Sequence, residues 1–212
     1  SKMQNAFSML GNTVEIALLH ALRLQQEGKP VDAETLYQQA ARPFLNNAWK
    51  ESRTGLWKKD PKKYYCLHEH YYRALDEEGE KKLVTFISEQ IRLCIAHGIQ
   101  SILRRVAAVK REQEIAVAHS AQGDPESFEL EGIKIYAIPD YVYRVDDIVH
   151  IHDWKAGKPK PRHREQVRIY ALWAERKHQI PPDRVRLHLE YLASNTTDDL
   201  QPTAQDLEAR LG

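Results

Sequence analysis

Two aspartates and a lysine are spaced so that neighbouring strands would bring them together. Asp140 follows the β-rich run 134–138, and Asp153 and Lys155 end the next strand-like run. Side chains alternate between the two faces of a strand, so Asp153 and Lys155 should point the same way. Residues 144–147 are a polar interruption typical of a hairpin loop, and a hairpin there would return Asp140 to the side of Asp153.

Two carboxylates and a lysine are the groups that metal-assisted cleavage of a phosphodiester requires. Carboxylate oxygens bind a hard divalent cation such as Mg²⁺ or Mn²⁺. Such a cation makes a nucleophile of water and stabilises the charge that develops on the phosphate. A lysine can orient or deprotonate that water, or neutralise an oxyanion. The sequence therefore predicts Asp140 and Asp153 as metal ligands and Lys155 as the residue that acts on water or on the transition state.

The next predicted helix carries Gln166 and Tyr170, four residues apart and so on one helix face. Along the chain, Pro139-Asp140 is followed by Asp153-Trp154-Lys155 and then by these two side chains. This ordered set resembles the PD-(D/E)XK nuclease superfamily and, within it, the RecB-like nucleases. The resemblance covers residues 104–192 well and the N-terminal helices more loosely.

The resemblance implies an α/β fold with a restriction-endonuclease-like core. In that core a central mixed β-sheet is flanked by α-helices, with an N-terminal helical part. We expect one nuclease-like domain over residues 1–212. It would consist of a mainly helical part at 1–101, a sheet and catalytic core at 102–193, and a polar tail at 194–212.

The resemblance also assigns roles to further residues. The residue between the Asp and the Lys of the family motif lends its carbonyl oxygen to the metal, which here would be Trp154. Gln166 and Tyr170 would steady Lys155, the metal waters or the scissile phosphate.

A third acidic ligand is expected in the N-terminal helix. Residues 11–17, Gly-Asn-Thr-Val-Glu-Ile-Ala, are similar to the Gly-Asn/Thr-x-Val-His segment of the family. Glu15 stands where the family often has histidine, and other members of the superfamily use a helical glutamate there. The resemblance thus implies that Glu15 completes the carboxylate set. The alternative is a solvated helix glutamate.

The charge distribution points to DNA only locally. The net charge is +1, and 42% hydrophobic and 29% charged residues are ordinary for a globular protein. Basic side chains gather where the catalytic strand leads into the next helix, at Lys158, Lys160, Arg162, Arg164 and Arg168. Such a cluster could contact the phosphates of single- or double-stranded DNA. It could also be a solvated basic loop.

Several classes of protein are excluded. The chain has two cysteines, Cys66 and Cys94, whereas an iron–sulfur cluster needs four, so we expect none in this chain. No apolar run is long enough to span a membrane, and no disulfide framework or signal peptide is present, which favours a cytoplasmic protein. No phosphate-binding Gly-rich loop occurs, so a helicase or a defence-system partner would be a separate chain. Residues 1–4 are typical of a helix interior, so we expect a segment upstream.

The remaining patterns give a coarse order of elements. Helical spacing predicts one helix ended by Gly28, a second capped by Asp32, a loop at 51–63 and a third helix at 79–101. Strands are predicted at 104–119, 127–138, 148–155 and 184–191, and a short helix near 203–210.

Some side chains leave alternatives open. His150 and His152 share a strand face and with His163 could bind zinc, whereas His68 and His70 would splay apart on a helix. Glu114 in the first strand could assist the site or be structural. The tyrosines at 64, 65, 71 and 72 could stack on bases beside Lys62 and Lys63, although aromatic residues more often pack cores.

The residues together predict a Mg²⁺- or Mn²⁺-dependent deoxyribonuclease of DNA repair, recombination or defence. Exonuclease and endonuclease action both stay open. The first alternative is a catalytically weak nucleic-acid-binding scaffold of the same fold. The second is a zinc-dependent structural or interaction module.

Overall fold

The computed structural model describes residues 2–118 and 126–205. The chain divides into two compact units, Ser1–Ala107 and Ala108–Gly212. The first unit is mainly helical and the second contains the five-stranded sheet. The predicted division into a helical part at 1–101, a sheet part at 102–193 and a polar tail at 194–212 stays a prediction, as does the single nuclease-like domain. Within the predicted tail, Thr196–Leu200 forms an edge strand of the five-stranded sheet, which the sequence did not indicate.

The first unit begins with a short strand and a long helix. Strand β1, Met3–Gln4, pairs in parallel with strand β2, Cys66–Leu67. Helix α1, Ala6–Gln26, starts at Asn5, whose Oδ1 accepts the N–H of Ser8 at 2.8 Å and so satisfies one free helix donor. The prediction that residues 1–4 lie inside a helix is therefore wrong for residues 2–4, which precede this cap.

The other helices of this unit are close to the predicted ones. Helix α2, Ala33–Leu36, is capped by Asp32 as expected and continues through a π-helical turn, Tyr37–Ala41, into α3, Arg42–Arg53. A 3₁₀ turn at Leu56–Lys58 interrupts the predicted loop. Helix α4 spans His68–Tyr71, and helix α5 spans Glu77–Gly98 with a π-helical turn, Ile99–Leu103, after it.

The second unit is built on a mixed sheet. The described strands of this unit are β3 (Glu114–Val117), β4 (Ser127–Leu130), β5 (Ile133–Tyr136), β6 (Tyr141–Val145), β7 (Ile148–Lys155), β8 (Val185–Tyr191) and β9 (Thr196–Leu200). The central sheet has the order β3-β6-β7-β8-β9. Within this sheet β7 and β8 are parallel and the other described neighbours are antiparallel, and helix α6, Pro161–His178, forms the crossover from β7 to β8. The predicted α/β class with a central mixed sheet is confirmed.

Two strand predictions are wrong in part. The predicted strand 104–119 is reduced to β3 in the described residues, because a 3₁₀ turn occupies Arg111–Gln113. The predicted strand 127–138 is a separate hairpin of β4 and β5, folded at Glu131 and Gly132 with φ of 51° and 78°. Positive φ at both central residues gives the two-residue turn that hairpins prefer. The predicted helix near 203–210 lies mostly outside the described residues.

One face of the sheet and one face of α6 form the core of this unit. Val149, Ile151 and Leu187 are at most 1% exposed and pack with Val167 and Trp173 of the helix. Asp153 and Lys155 continue the face of β7 that carries Val149 and Ile151, as alternation predicts. The packing thus brings their side chains against α6. Among the described residues, no helix is both long and apolar enough to cross a membrane.

Candidate active site

Asp140 and Asp153 lie at the same end of the β6–β7 hairpin. Asp140 immediately precedes β6, whose first residue, Tyr141, pairs with His152. The Asp140 N–H donates to the carbonyl of His152 at 3.2 Å, and the N–H of Trp154 donates to Asp140 Oδ2 at 2.5 Å. The hairpin therefore places Asp140 beside Asp153 as predicted. Asp140 directly precedes a strand of this sheet, however, and does not end one as the sequence suggested, because the run before it, β5, belongs to a separate hairpin.

Four side chains close a ring of polar contacts next to these carboxylates. Lys155 Nζ lies 2.5 Å from Asp153 Oδ2 and donates to Gln166 Oε1 at 2.9 Å. Gln166 Nε2 in turn donates to the Tyr170 hydroxyl at 2.7 Å. That hydroxyl lies 3.3 Å from Asp153 Oδ1 and 3.1 Å from the carbonyl oxygen of Ile138, and it can donate to one of them at a time.

The ring fixes the orientation of every group in it. An ammonium only donates, so Gln166 must turn its oxygen to Lys155 and its NH₂ to Tyr170. Gln166 and Tyr170 are one helical turn apart on α6, which lets one amide reach from the strand to the phenol. Two of the three Lys155 N–H groups serve Asp153 and Gln166. The third is available for a water or a phosphate oxygen.

Burial sets the charge properties of the ring. Asp153 is 1% exposed. Removal from water raises the pKa of its carboxyl group, while the ion pair with Lys155 and the bond from Tyr170 act in the opposite direction. Burial also raises the pKa of Tyr170, and the charges of Asp153 and Asp140 add to this effect. Tyr170 is therefore a neutral hydrogen-bond donor at any physiological pH.

The oxygens of this site fit a hard divalent cation. Asp140 and Asp153 supply carboxylate oxygens, the ligands that Mg²⁺ and Mn²⁺ prefer. A cation would also relieve the cost of keeping a carboxylate such as Asp153 out of water. The peptide of Trp154 lies between the two aspartates, since its N–H already binds Asp140.

Comparison with known proteins gives the family. A sequence model of the PD-(D/E)XK nuclease superfamily matches residues 17–210, which include all four members of the polar ring and Asp140. The chain belongs to the PD-(D/E)XK nuclease superfamily. No curated protein and no solved structure matches the chain. The predicted RecB-like grouping within this nuclease superfamily stays a prediction.

Glu15 lies outside the residues that the superfamily match covers. It belongs to helix α1 of the first unit and is half-buried there. Its predicted role as the third carboxylate of the PD-(D/E)XK site stays a prediction.

The basic residues near the candidate active site fall into two groups. Arg164 pairs with Asp198 at 3.0 Å, and Arg168 pairs with Glu165 at 3.3 Å. The second group is exposed and forms no ion pair with any residue that the structure describes: Lys158, Lys160 and Arg162. Only this second group presents cations that are not already neutralised.

The three histidines proposed for zinc do not come together. His150 and His152 lie on the sheet face opposite Asp153, where they bind His188 at 2.9 Å and Glu190 at 2.8 Å. His163 is on α6, on the other side of the sheet. No group of three or more His, Cys, Asp or Glu side chains able to hold a metal occurs within residues 2–118 and 126–205. His70, the other candidate, binds the Ser52 hydroxyl at 2.8 Å.

Sequence reasoning missed two features of this unit. His188 and Glu190 extend the buried polar cluster of His150 and His152 on the opposite sheet face, and the alternation along 184–191 could have placed both on that face. The sequence indicated His163 only as a zinc ligand. Its ring packs against Tyr191, with centroids 5.7 Å apart. Burial lowers the pKa of His163, and the positive charge of Lys155 adds a smaller effect in the same direction.

Glu114 accepts a hydrogen bond from the Tyr141 hydroxyl at 3.1 Å, in keeping with a structural role.

Proposed function

We propose that this chain is a Mg²⁺- or Mn²⁺-dependent deoxyribonuclease that hydrolyses phosphodiester bonds. Superfamily membership already indicates nuclease activity. The observation that carries the finer proposal is the closed ring of Asp153, Lys155, Gln166 and Tyr170 with Asp140 beside it. A scaffold that only bound DNA would have no need to orient a lysine so tightly against a buried carboxylate.

The proposed metal ligands are oxygens of Asp140 and Asp153 and the carbonyl oxygen of Trp154. Glu15 is a further proposed ligand that rests on the family resemblance alone. A bound cation would lower the pKa of water and stabilise negative charge on the phosphate. Asp153 is in β7, and Asp140, directly before β6, is bonded to the backbone of His152 and Trp154, so both carboxylates are oriented by the β6–β7 hairpin. Preorganisation of this kind avoids reorganisation when the substrate binds.

Lys155 is the proposed group that contacts the reacting atoms. Its third N–H can donate to the attacking water or to a non-bridging phosphate oxygen as charge develops there. Gln166 and Tyr170 are positioning residues in this scheme. They hold Nζ in place through the amide and keep the remaining oxygen of Asp153 directed by a neutral hydroxyl.

The proposal is tested by incubating the purified chain with end-labelled linear, circular and single-stranded DNA in Mg²⁺ or Mn²⁺. Cleavage that stops on chelation and returns with the cation is the expected result. Cutting of circles would indicate an endonuclease, and release of mononucleotides from ends an exonuclease. DNA binding without cleavage in either cation would contradict the proposal and favour the weak-scaffold alternative. A cytoplasmic location and a separate helicase or defence-system partner remain predictions.

Substituting Glu15 with glutamine should shift the Mn²⁺ dependence of cleavage to higher concentration. If Glu15 is a ligand, the amide lacks the negative charge that draws the cation. Activity titrated against Mn²⁺ measures the midpoint. Glu89→Gln is the matched control, since Glu89 is an exposed glutamate on α5. If the Mn²⁺ concentration at half-maximal activity were equal in both variants and the wild type, Glu15 would be a solvated helix glutamate and not a metal ligand.

Replacing Lys160 and Arg162 with alanine together should weaken DNA binding and reduce its salt dependence. Each phosphate that is no longer neutralised lowers the slope of log affinity against log salt by about one. Single-turnover cleavage at saturating DNA should change little, because the carboxylates and Lys155 remain. The control is Lys81→Ala with Lys82→Ala, which removes equal charge from lysines already paired with Glu77 and Glu78. If the slope of log affinity against log salt in the Lys160→Ala, Arg162→Ala variant equalled that of the wild type, Lys160 and Arg162 would not contact DNA phosphates.

A further inference from the structure

The first unit carries exposed aromatic rings at residues 57–73. The ring centroids of Trp57 and Tyr71 are 5.4 Å apart, and those of Tyr71 and Tyr72 are 4.9 Å apart. Tyr71 is 47% exposed and Tyr72 is 69% exposed. Tyrosines in a protein core bury most of the ring, so core packing does not account for Tyr71 and Tyr72. Tyr65, by contrast, packs edge-on against Phe44 with centroids 5.7 Å apart.

The same segment of the chain carries lysines that are not paired with acidic residues among those that the structure describes. Residues 57–73 contain five Lys and Arg and two Asp and Glu, a surplus of three, while the whole chain carries +1. Lys58 Nζ lies 5.6 Å from the centroid of the Trp57 ring, and Lys63 Nζ lies 5.3 Å from that of Tyr64. The four lysines make no ion pair with any residue in the described part of the chain: Lys58, Lys59, Lys62 and Lys63. We call these lysines and the rings of Trp57, Tyr71 and Tyr72 the aromatic–basic face.

The backbone beneath the aromatic–basic face is well anchored. Asp60 Oδ1 accepts the N–H groups of Lys62 and Lys63 at 3.0 and 3.2 Å. Leu67 is fully buried, and its N–H donates to the Ser52 hydroxyl at 2.7 Å. Arg73 then turns the chain out of α4 with a φ of 50°. A surface ordered in this way loses little conformational entropy when it binds a ligand.

We propose that the aromatic–basic face binds single-stranded nucleic acid, with bases stacked on Tyr71 and Tyr72 and phosphates along the lysines. Stacking platforms beside cations are the chemistry by which proteins bind single strands without reading sequence. The base pairs of a duplex keep their faces covered, so a duplex could use the lysines but not the rings. The inference rests on the proposed function and deepens it, since it names the form of DNA that this unit would engage.

The test is the double variant Tyr71→Ala with Tyr72→Ala, measured in EDTA so that no cleavage occurs. Three fluorescein-labelled ligands of equal length are compared: an oligothymidylate, an abasic deoxyribose-phosphate strand and a duplex. Loss of stacking on the two rings should weaken oligothymidylate binding by about tenfold or more. Binding of the abasic strand, which has phosphates and no bases, should be unchanged. A thermal melt checks that the variant is folded.

A matched control separates this face from any exposed ring. Tyr136 is 55% exposed, and Lys134 Nζ lies 5.1 Å from its ring centroid. Tyr136→Ala should leave oligothymidylate affinity at the wild-type value. Lys59→Ala with Lys62→Ala should weaken the oligothymidylate and the abasic strand alike, and should lower the salt slope by about 0.7 for each phosphate that is no longer bound.

Three results would overturn the inference: no binding of oligothymidylate by the wild type, equal affinity in the tyrosine double variant, or an equal loss on the abasic strand. If the tyrosine double variant bound oligothymidylate as tightly as the wild type, the exposed rings would be assigned to contact with a protein partner. The proposed function is tested separately by Mn²⁺-dependent cleavage with the wild-type chain. Cleavage with no effect of the tyrosines contradicts only this inference, and tyrosine-dependent binding without cleavage contradicts only the nuclease proposal.

Discussion

Replacing Asp153 with asparagine should lower the rate of DNA cleavage by about 10²–10⁴-fold, the range typical of one lost catalytic interaction. Asparagine keeps the size of the side chain but removes the charge that would bind the cation. It also ends the ion pair that holds Lys155 Nζ beside the site. The measurement is the single-turnover rate on labelled DNA at saturating Mn²⁺.

The control for Asp153→Asn is Asp198→Asn. It makes the same change at an aspartate of β9, which pairs with Arg164 of α6. Asp198→Asn should cleave at close to the wild-type rate. Because Asp153 is buried, thermal unfolding must show that the variant folds. If it does not, Asp140→Asn at the half-buried partner position tests the same charge. Wild-type cleavage in a folded variant at either aspartate would refute its assignment as a catalytic metal ligand.

Replacing Lys155 with alanine should lower the cleavage rate by a similar factor of about 10²–10⁴. The variant loses the N–H directed at the water or the phosphate, whereas both carboxylates remain. It also leaves the charge of Asp153 buried without its cationic partner, and that is destabilising. Mn²⁺ should therefore raise the unfolding temperature of Lys155→Ala more than that of the wild type.

Lys158→Ala is the companion measurement for Lys155→Ala. Lys158 is exposed and three residues further along the chain, so its loss should affect DNA affinity and not the rate at saturating DNA. Rates for Lys155→Ala within a few-fold of the wild type would remove Lys155 from the mechanism, whatever happened to binding.

The local geometry of the site could be predicted from the sequence because two periodicities fix it. The period of two along β7 puts Asp153 and Lys155 on one face, and four-residue spacing on α6 puts Gln166 and Tyr170 on one face. What spacing alone could not give is the closed ring. It depends on how α6 packs on the sheet, and that packing is set by contacts of Val149 and Ile151 with helix residues such as Trp173, which are distant from them in the sequence.

The misread elements are those where local β-propensity and local turn geometry disagree. Residues 127–138 are rich in β-formers, and the turn at Glu131-Gly132 puts a non-glycine residue at positive φ, which sequence patterns rarely signal. The exposure of Tyr71 and Tyr72 escaped prediction for another reason. Aromatic residues in a sequence usually indicate buried positions. Helix α4 has only four residues, too few for a periodic pattern that would show which of its faces is exposed.

β7 is the third of five strands and is hydrogen-bonded on both sides, to β6 and to β8. Such a strand is among the last parts of a fold to open locally, since both of its ladders must break first. Asp153 and Lys155 directly follow the part of β7 that pairs with β6, which ends at His152, and are themselves paired with Leu189 and Tyr191 of β8. Fraying at the edge strands β3 and β9 can proceed without disturbing them. Under the proposed function, we expect the motion that admits a DNA strand to these groups to come from other parts of the chain.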